Sequence, residues 1–330
     1  MPGFTTHYLF GQRALKDLEG ETEVKPIEHY PNCFNIGLQG PDLFYFNPQA
    51  WVLYDHNIGD RIHDENVNAF FEALMTERDK FKKAADREIC DSYILGFIGH
   101  YTLDTLCHPY IYYRTKHFNH SKDSGTFDFG LHVFLETDIN NAVLRHTTHE
   151  KPSQFKGWST IRLNPHEEAV LTRLLYRAIP RAFSGTKQHF RHIHSAFRTA
   201  PIVQWLLHDP TGLKKIGVRM IEGRFAGHAI VSSMVPNDNV VKYKDPCNTS
   251  HKKWSNPWNE SITSTASIYD LMDEASLVFG RRVNLYINGF ESKPMDRHGE
   301  HGAWKNAILN DLGNNSYCTG LDCSIPFNKE

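Results

Sequence analysis

The sequence predicts an all-α protein, and two observations carry that prediction. Apolar residues recur at intervals of three and four along most of the chain, which is the period of a helix packed on one face. Alternation of apolar and polar residues is nowhere sustained enough to build a central sheet. The 330 residues suffice for one large domain or two ordinary ones. We therefore expect a multi-helix bundle with small β additions at most.

The predicted helices follow the apolar period and end at residues that interrupt it. In order, they cover residues 7–18, 64–85, 86–108, 129–145, 165–183, 189–207, 211–234 and 267–286. Gly20 marks the end of the first helix. Pro109 marks the end of the third, most apolar helix, because proline cannot continue the backbone hydrogen bonds. Pro165 suits the first turn of the fifth helix, where no backbone N–H is needed.

Two polar stretches interrupt or follow these helices. Residues 235–265 contain three prolines and predict a long loop, in which Trp254 and Trp258 form either a lid or a packed crossing. The last forty residues are rich in Gly and Asn, which predicts irregular structure. We therefore divide the chain into a helical domain over residues 1–288 and an irregular C-terminal extension over residues 289–330.

Composition and charge narrow the class of protein. The net charge of −2 speaks against a nucleic-acid scaffold, which would carry a basic excess. Six scattered cysteines form no dense disulfide framework, so a reduced, cytoplasmic protein is expected. The N-terminus lacks the charged and apolar parts of a signal peptide. No run of 18 apolar residues predicts a transmembrane helix.

The third predicted helix carries a stripe of polar groups in apolar surroundings. His100, Asp104 and His108 follow one another at intervals of four, which places all three side chains on one helix face. Burying an ionised aspartate with two imidazoles is costly unless something compensates its charge. A divalent metal ion does so directly, whereas the alternative is a buried polar network in which every group has a hydrogen-bond partner.

Further residues of the same chemical types extend the stripe. His132 and Glu136 lie four residues apart on the next predicted helix, and His7, Asp42 and His63 lie upstream beside apolar residues. The set contains imidazoles and carboxylates without thiolates. Such ligands suit a catalytic zinc ion, which keeps one position open for water, rather than a closed structural site.

At these residues the chain resembles the zinc-dependent phospholipase C family, whose wider superfamily includes the P1-type nucleases. The resemblance covers residues 1–140 and lies in five places, which are Thr5-Thr-His-Tyr-Leu-Phe-Gly11, Gly40-Pro-Asp42, His63, Gly99-His-Tyr-Thr-Leu-Asp104 and His132-x-x-x-Glu136. It is weaker beyond that point. The resemblance implies an all-helical bundle with up to three zinc ions in a cleft, which agrees with the helical prediction.

The resemblance also implies a role for each residue. Asp104 would bridge two metal ions, and with Asp42 it is the candidate catalytic carboxylate. The first ion would be held by Asp42, His63, His100 and Asp104. The second would be held by His7, with N-terminal backbone groups completing its shell. The third would be held by His108, His132 and Glu136.

Two features depart from the family pattern. Secreted relatives expose an N-terminal tryptophan as a ligand after signal cleavage, whereas this chain begins Met1-Pro2. Removal of Met1 would leave the Pro2 amine five residues before His7, which is the offset of the nuclease branch. Secreted phospholipases place the third-site histidine six residues after the bridging aspartate. Here His108 follows Asp104 by four residues, which keeps it on the same helix face.

The function that this implies is a zinc-dependent phosphoric-ester hydrolase in which a metal-bound hydroxide attacks phosphorus. The substrate is either a phospholipid or a soluble phosphodiester, and no basic amphipathic helix that would dock the protein on a membrane is evident in the sequence. Two alternatives stay open: a nuclease or 3′-nucleotidase using the same metals, and a non-catalytic, metal-stabilised binding protein. Asp55, Asp64 and Glu65 are further candidates for an acid or base, although capping a helix is the plainer role of Asp64.

Overall fold

A computed structural model of the chain describes residues 3–19, 24–47, 57–116, 125–186, 189–291 and 300–324. The α-helices in this part are α1 Phe4–Asp17, α2 Lys25–His29, α3 Pro31–Gly37, α4 Ile58–Asp64, α5 Val67–Arg78, α6 Ala84–Thr115, α7 Gly125–Thr148, α8 Pro165–Ala182, α9 Phe190–Leu207, α10 Leu213–Phe225, α11 Val231–Met234, α12 Ile268–Glu291 and α13 Glu300–Leu312. Short 3-10 helices cover Gly40–Phe44 and Gly157–Ser159. Strands β1 Trp254–Asn256 and β2 Asn259–Ser264 pair as an antiparallel hairpin. The all-α prediction is confirmed.

Helix α6 is the centre of the bundle. Every residue from Ile89 to Asp104 is buried, because α1, α3, α7, α8 and α12 all pack around it. The approach of α3 is close enough to require glycine on both helices. A Cβ added at Gly96 would lie 2.2 Å from the Phe34 carbonyl oxygen, and one added at Gly37 would lie 2.3 Å from that of Tyr93. A helix surrounded in this way presents all its faces to other elements, so the polar stripe on it is necessarily internal.

The predicted end of this helix at Pro109 is wrong, because α6 continues to Thr115. Proline removes a backbone hydrogen bond, and its ring crowds the carbonyl one turn earlier. Two features outweigh that cost. The turn after Pro109 buries Tyr110 and Ile111 in the core. Gly320, from the C-terminal segment, packs over the same turn, where an added Cβ would lie 2.6 Å from the Thr105 carbonyl oxygen. Tertiary packing thus overrides a local preference.

Two other predicted helices are each divided in the structure. Residues 64–85 form α5, which ends at Arg78, and the start of α6. The connection between α5 and α6 is held by the Arg78 guanidinium, which donates to both carboxylate oxygens of Asp91 at 2.6 and 2.5 Å. Residues 211–234 form α10 and α11, separated by Gly227 with a φ of +73°. Such a backbone conformation ends a helix and favours glycine.

The predicted long loop over residues 235–265 contains the β hairpin. Trp254 is buried there, its indole N–H donates to the Ala266 carbonyl at 3.0 Å, and its ring packs edge-on against Tyr110. Trp258 packs edge-on against Tyr112 of α6. The alternative of a packed crossing therefore describes both tryptophans in this structure.

The C-terminal region is more regular than the predicted irregular extension over residues 289–330. It includes α13, which packs against α12 and α5, followed by a turn-rich segment over residues 313–324. Ile308, Leu312 and Tyr317 join the main core. Helix α13 was missed because the prediction followed the Gly and Asn content of the last forty residues, whereas Trp304, Ile308 and Leu312 recur at helical spacing in the sequence. The boundary between the two predicted domains remains a prediction. Within the residues described, no helix combines the length and the apolar character needed to cross a membrane.

Candidate metal centre

Five elements bring the predicted ligand residues to one buried place. Helix α1 contributes His7, the 3-10 helix contributes Asp42, and α4 contributes His63. The central helix α6 and its neighbour α7 contribute the remaining residues, which are His100, Asp104, His108, His132 and Glu136. All eight side chains are buried, from 0 % exposure at Asp104 to 8 % at His132. The structure therefore brings all eight predicted residues together, and their role as metal ligands stays a prediction.

Asp104 is the common neighbour of the set. Its Oδ1 lies 3.1 Å from His7 Nε2, and its Oδ2 lies 3.0 Å from His100 Nε2. His63 Nε2 lies 3.9 Å from the same Oδ2 and 3.3 Å from Asp42 Oδ1. One carboxylate therefore faces imidazole nitrogens on both of its oxygens, an arrangement compatible with the bridging role that the resemblance implies.

Three of the histidines are held by backbone carbonyls through Nδ1. His63 donates to the Gly59 oxygen at 2.7 Å, His100 to the Leu38 oxygen at 3.0 Å, and His108 to the Tyr317 oxygen at 2.7 Å. A carbonyl oxygen only accepts, so Nδ1 carries the proton. In the neutral ring, Nε2 then holds the lone pair and faces the carboxylates. Metal-binding histidines are oriented by the same kind of contact on their second nitrogen.

The centre leaves buried polar atoms without hydrogen bonds. Both carboxylate oxygens of Asp104 and the Nε2 atoms of His63, His100 and His108 are buried, yet none of these atoms has a partner in hydrogen-bond geometry. Both ring nitrogens of His7 are likewise buried without a hydrogen-bond partner. Leaving such groups unpaired costs several kcal/mol or more, on the order expected for desolvated charge. These atoms fit a bound cation, and they do not form the satisfied polar network of the alternative interpretation.

The ligand-type atoms fall into three groups whose members lie within 4.8 Å of one another. The groups are His7, Asp42 and His100; His63, His100 and Asp104; and His108, His132 and Glu136. The last group matches the set that the resemblance implied for a third metal. His7 lies within the first group and not only beside Asp104, so the first two predicted sites share their residues more closely than the sequence indicated. Three His/Asp/Glu clusters are compatible with metal binding.

The electrostatics of the centre favour the protonation states that metal ligands need. Burial alone would raise the pKa of Asp104, but the surrounding imidazoles of His100, His108 and His7 hold it well below its usual value. Burial lowers the pKa values of His7 and His132, and it lowers the pKa of His108 well below its usual value. An ionised Asp104 and neutral imidazoles at His7, His108 and His132 are the forms in which these groups bind a metal ion.

His63 differs from the other histidines in this respect. Burial opposes its charged form, but the adjacent carboxylate of Asp42 outweighs burial and raises its pKa. Metal binding would have to displace that proton, since only the neutral imidazole coordinates.

Gly40 explains how the Asp42 turn comes so close to α6. Its φ is +49°, in the left-handed region that favours glycine. A Cβ at this position would lie 2.3 Å from His100 Cδ2 and 2.8 Å from His100 Nε2. The Gly-Pro-Asp sequence therefore combines a permitted turn with room for the imidazole behind it.

Two residues of this region were missed by the sequence analysis. Tyr317 accepts the Nδ1–H of His108 through its carbonyl, donates its own N–H to the His63 carbonyl at 2.9 Å, and packs its ring edge-on against His63. Gln39 precedes the Gly40 turn, and its amide is buried with both polar atoms lacking hydrogen bonds. No local pattern marks Tyr317, since it lies 181 residues beyond Glu136; Gln39 is marked only by its position beside the Gly-Pro-Asp motif.

The other candidates have structural roles or fall outside the description. The Asp64 carboxylate accepts the Ser316 hydroxyl at 2.8 Å, which fastens the C-terminal segment rather than capping a helix start. Glu65 forms an exposed ion pair with Arg61. Asp55 and Pro2 lie outside the described residues, so the proposed amine ligand remains a prediction.

The fold and the site together define a helical protein with a buried centre of histidines and carboxylates arranged around a shared aspartate. The chain matches the family model described as zinc dependent phospholipase C over residues 6–184, which is more than half its length and includes all eight predicted ligands. It belongs to the zinc-dependent phospholipase C family. No curated protein and no solved structure matched the chain.

Proposed function

We propose that the protein is a zinc-dependent phosphodiester hydrolase that cleaves phospholipids at the bond between the glycerol oxygen and phosphorus. The products would be diacylglycerol and a phosphorylated head group. Membership of the family supports a hydrolase of this class. The observation that carries the proposal is Asp104, a fully buried carboxylate whose two oxygens face imidazole nitrogens and lack hydrogen bonds.

The proposed ligands are the eight residues of the candidate metal centre, with room for up to three zinc ions. Asp104 would be shared between two of them, and His108, His132 and Glu136 would hold the third. Bound zinc supplies a Lewis acid for the phosphate oxygens and lowers the pKa of a water to near neutrality.

The chain's own residues would prepare this chemistry before substrate arrives. The carbonyls of Gly59, Leu38 and Tyr317 hold three imidazoles in fixed orientations. Such preorganisation avoids rearranging dipoles during the reaction. In the overall reaction a water oxygen bonds to phosphorus, the glycerol oxygen leaves, and one proton of water ends on the departing alcohol. Burial of the centre limits the bulk water that would weaken its electrostatic interactions.

The first test is zinc content, measured by elemental mass spectrometry, together with phosphodiester hydrolysis in the wild type and in Asp104→Asn. We expect zinc in the wild type, and we expect the variant to lose bound metal and more than about a hundredfold of the activity, since a metal-bridging charge is removed. The matched control is Asp91→Asn, which changes a buried aspartate on the same helix that pairs with Arg78 rather than with imidazoles.

The control should fold less stably yet keep its zinc content. Full activity in Asp104→Asn would exclude the bridging role. A substrate panel separates the alternatives: single-stranded nucleic acid cleaved in preference to phospholipid would indicate the nuclease, and bound zinc without turnover of any phosphodiester would indicate a metal-stabilised binding protein.

A further inference from the structure

Exposed large apolar side chains are concentrated at the end of α9 and along α10, both outside the matched family region. Nine of the sixteen large apolar side chains exposed in the described residues lie between positions 202 and 231. The most prominent are Trp205, Leu213, Ile216, Met220, Ile221 and Phe225, which we call the α9–α10 apolar face. Phe225 is 85 % exposed, Met220 is 73 % exposed and Leu213 is 68 % exposed. Concentrated exposure of this kind indicates an interaction surface, whereas scattered apolar residues do not.

The face belongs to a firmly held helix, so its exposure does not reflect a loose element. Asp209 accepts the backbone N–H groups of Lys214 and Lys215 and thereby caps α10. The buried ammonium of Lys215 donates to the Val235 carbonyl at 2.7 Å. At the other end, the Glu222 carboxylate accepts from the backbone and hydroxyl of Ser232. Among the described residues of α10, Lys215 is the one that is buried, so these polar contacts hold the helix while its apolar side chains stay exposed.

Basic side chains predominate among the charged residues around this surface. Between positions 202 and 234 the acidic residues are Asp209 and Glu222, and both are engaged in the contacts just described. The exposed charged side chains of α10 are Lys214, Arg219 and Arg224. A helix that exposes apolar and basic side chains together is the pattern of a helix that lies in the interface of an anionic membrane.

Helix α10 lies near α7, the helix that carries His132 and Glu136. A cleft of about 280 Å³ runs between α7 and the end of α10, lined in part by Gly130 and Leu131, which precede His132 in the chain. Arg219 and Lys242 line its other side. The α7 backbone and the loop after α10 are in direct contact, because a Cβ at Gly130 would lie 2.1 Å from the Ala229 carbonyl oxygen.

We propose that the α9–α10 apolar face docks the protein on a lipid bilayer that contains anionic phospholipid, with the α7 side of the metal centre turned toward the lipid head groups. The choice of a bilayer rests on the exposed basic side chains of α10 and on the proposed function, because a phospholipase must reach a substrate held in a lipid surface. The sequence analysis found no basic amphipathic helix; the structure assigns that role to α10.

The test measures binding of the zinc-loaded protein to vesicles by sedimentation. We expect binding to vesicles of phosphatidylcholine and phosphatidylserine in equal amounts, and weaker binding to phosphatidylcholine alone. The double variant Met220→Gln/Phe225→Gln should lose about tenfold or more in affinity, because affinity scales with the apolar area buried in the interface. The matched control is Leu277→Gln on α12, which removes a side chain that is 79 % exposed but lies outside the face.

A second pair of measurements identifies the occupant and separates this proposal from the proposed function. The ratio of vesicle hydrolysis to hydrolysis of a soluble phosphodiester should fall in the double variant and not in Leu277→Gln. Absence of vesicle binding by the wild type, or equal binding by the wild type and the double variant, would overturn docking. Light scattering that shows a dimer dissociated by the double variant, without vesicle binding, would assign the face to a second copy of the chain. Normal vesicle binding without hydrolysis of either substrate would reject the enzyme while docking stands.

Discussion

At the scale of single residues, the candidate centre contains polar atoms whose burial without a partner costs a large amount of free energy. Both carboxylate oxygens of Asp104 lack hydrogen-bond partners, and so do the Nε2 atoms of His7, His63 and His100. Their positions nevertheless follow from strong local restraints, which are carbonyl acceptors behind three histidines and a left-handed glycine before Asp42. The protein thus holds the side chains in place, and a bound cation would supply the partner that their buried polar atoms lack.

Gly40→Ala tests this restraint directly. The added methyl group would both strain a φ of +49° and meet the His100 ring at 2.3 Å. We expect a loss of roughly 2 kcal/mol or more in the free energy of unfolding, because overpacking adds to the left-handed penalty. Bound zinc should fall as well. The control Gly185→Ala carries a φ of +77° but meets nothing within 4 Å, so a similar effect of both variants would refute the contact with His100.

At the scale of elements, the C-terminal segment after α13 completes a site whose predicted ligands all precede it. Gly320 packs over the Pro109 turn of α6, and the nearby Tyr317 carbonyl orients His108. Ser316 connects the same segment to Asp64 of α4. One short segment therefore supports both the irregular turn of the central helix and the histidine next to it. This is why α6 continues through a proline that local rules make a helix end.

Gly320→Ala should displace this segment, because its Cβ would lie 2.6 Å from the Thr105 carbonyl oxygen. We expect lower thermal stability and the loss of about one zinc ion per chain, since His108 loses its orienting carbonyl. The control is Gly313→Ala, which has the same φ of +67° but open space around it. If Gly320→Ala keeps the full zinc content while losing stability, the segment supports the fold but not the metal.

At the scale of the whole molecule, the centre joins elements that are distant in the sequence. Its residues come from α1, the 3-10 helix over Gly40–Phe44, α4, α6 and α7. A metal bound there would connect the beginning of the chain to the middle of the bundle. Removing it would leave an ionised carboxylate in a dry interior, at a cost of several kcal/mol.

Chelation should therefore lower the melting temperature of the wild type, by about 5 °C or more for a loss of a few kcal/mol in a chain of this size. Calorimetry with and without a zinc chelator measures the shift. Asp104→Asn provides the control, because a variant that no longer holds the shared metal should respond much less to the chelator. An identical shift in both proteins would mean that the stabilising metal lies elsewhere.

The amino-acid sequence alone was enough to predict the helical fold class, most helix positions and the eight candidate ligands. Helical period and ligand spacing are local properties, so His100, Asp104 and His108 on one face were readable from the chain alone. Three features could be seen only in the folded protein: the passage of α6 through Pro109, the support of His108 by Tyr317, and the exposure of the apolar residues of α10. Each of these depends on what packs against an element, and periodicity shows that a helix has an apolar face without showing whether that face is covered.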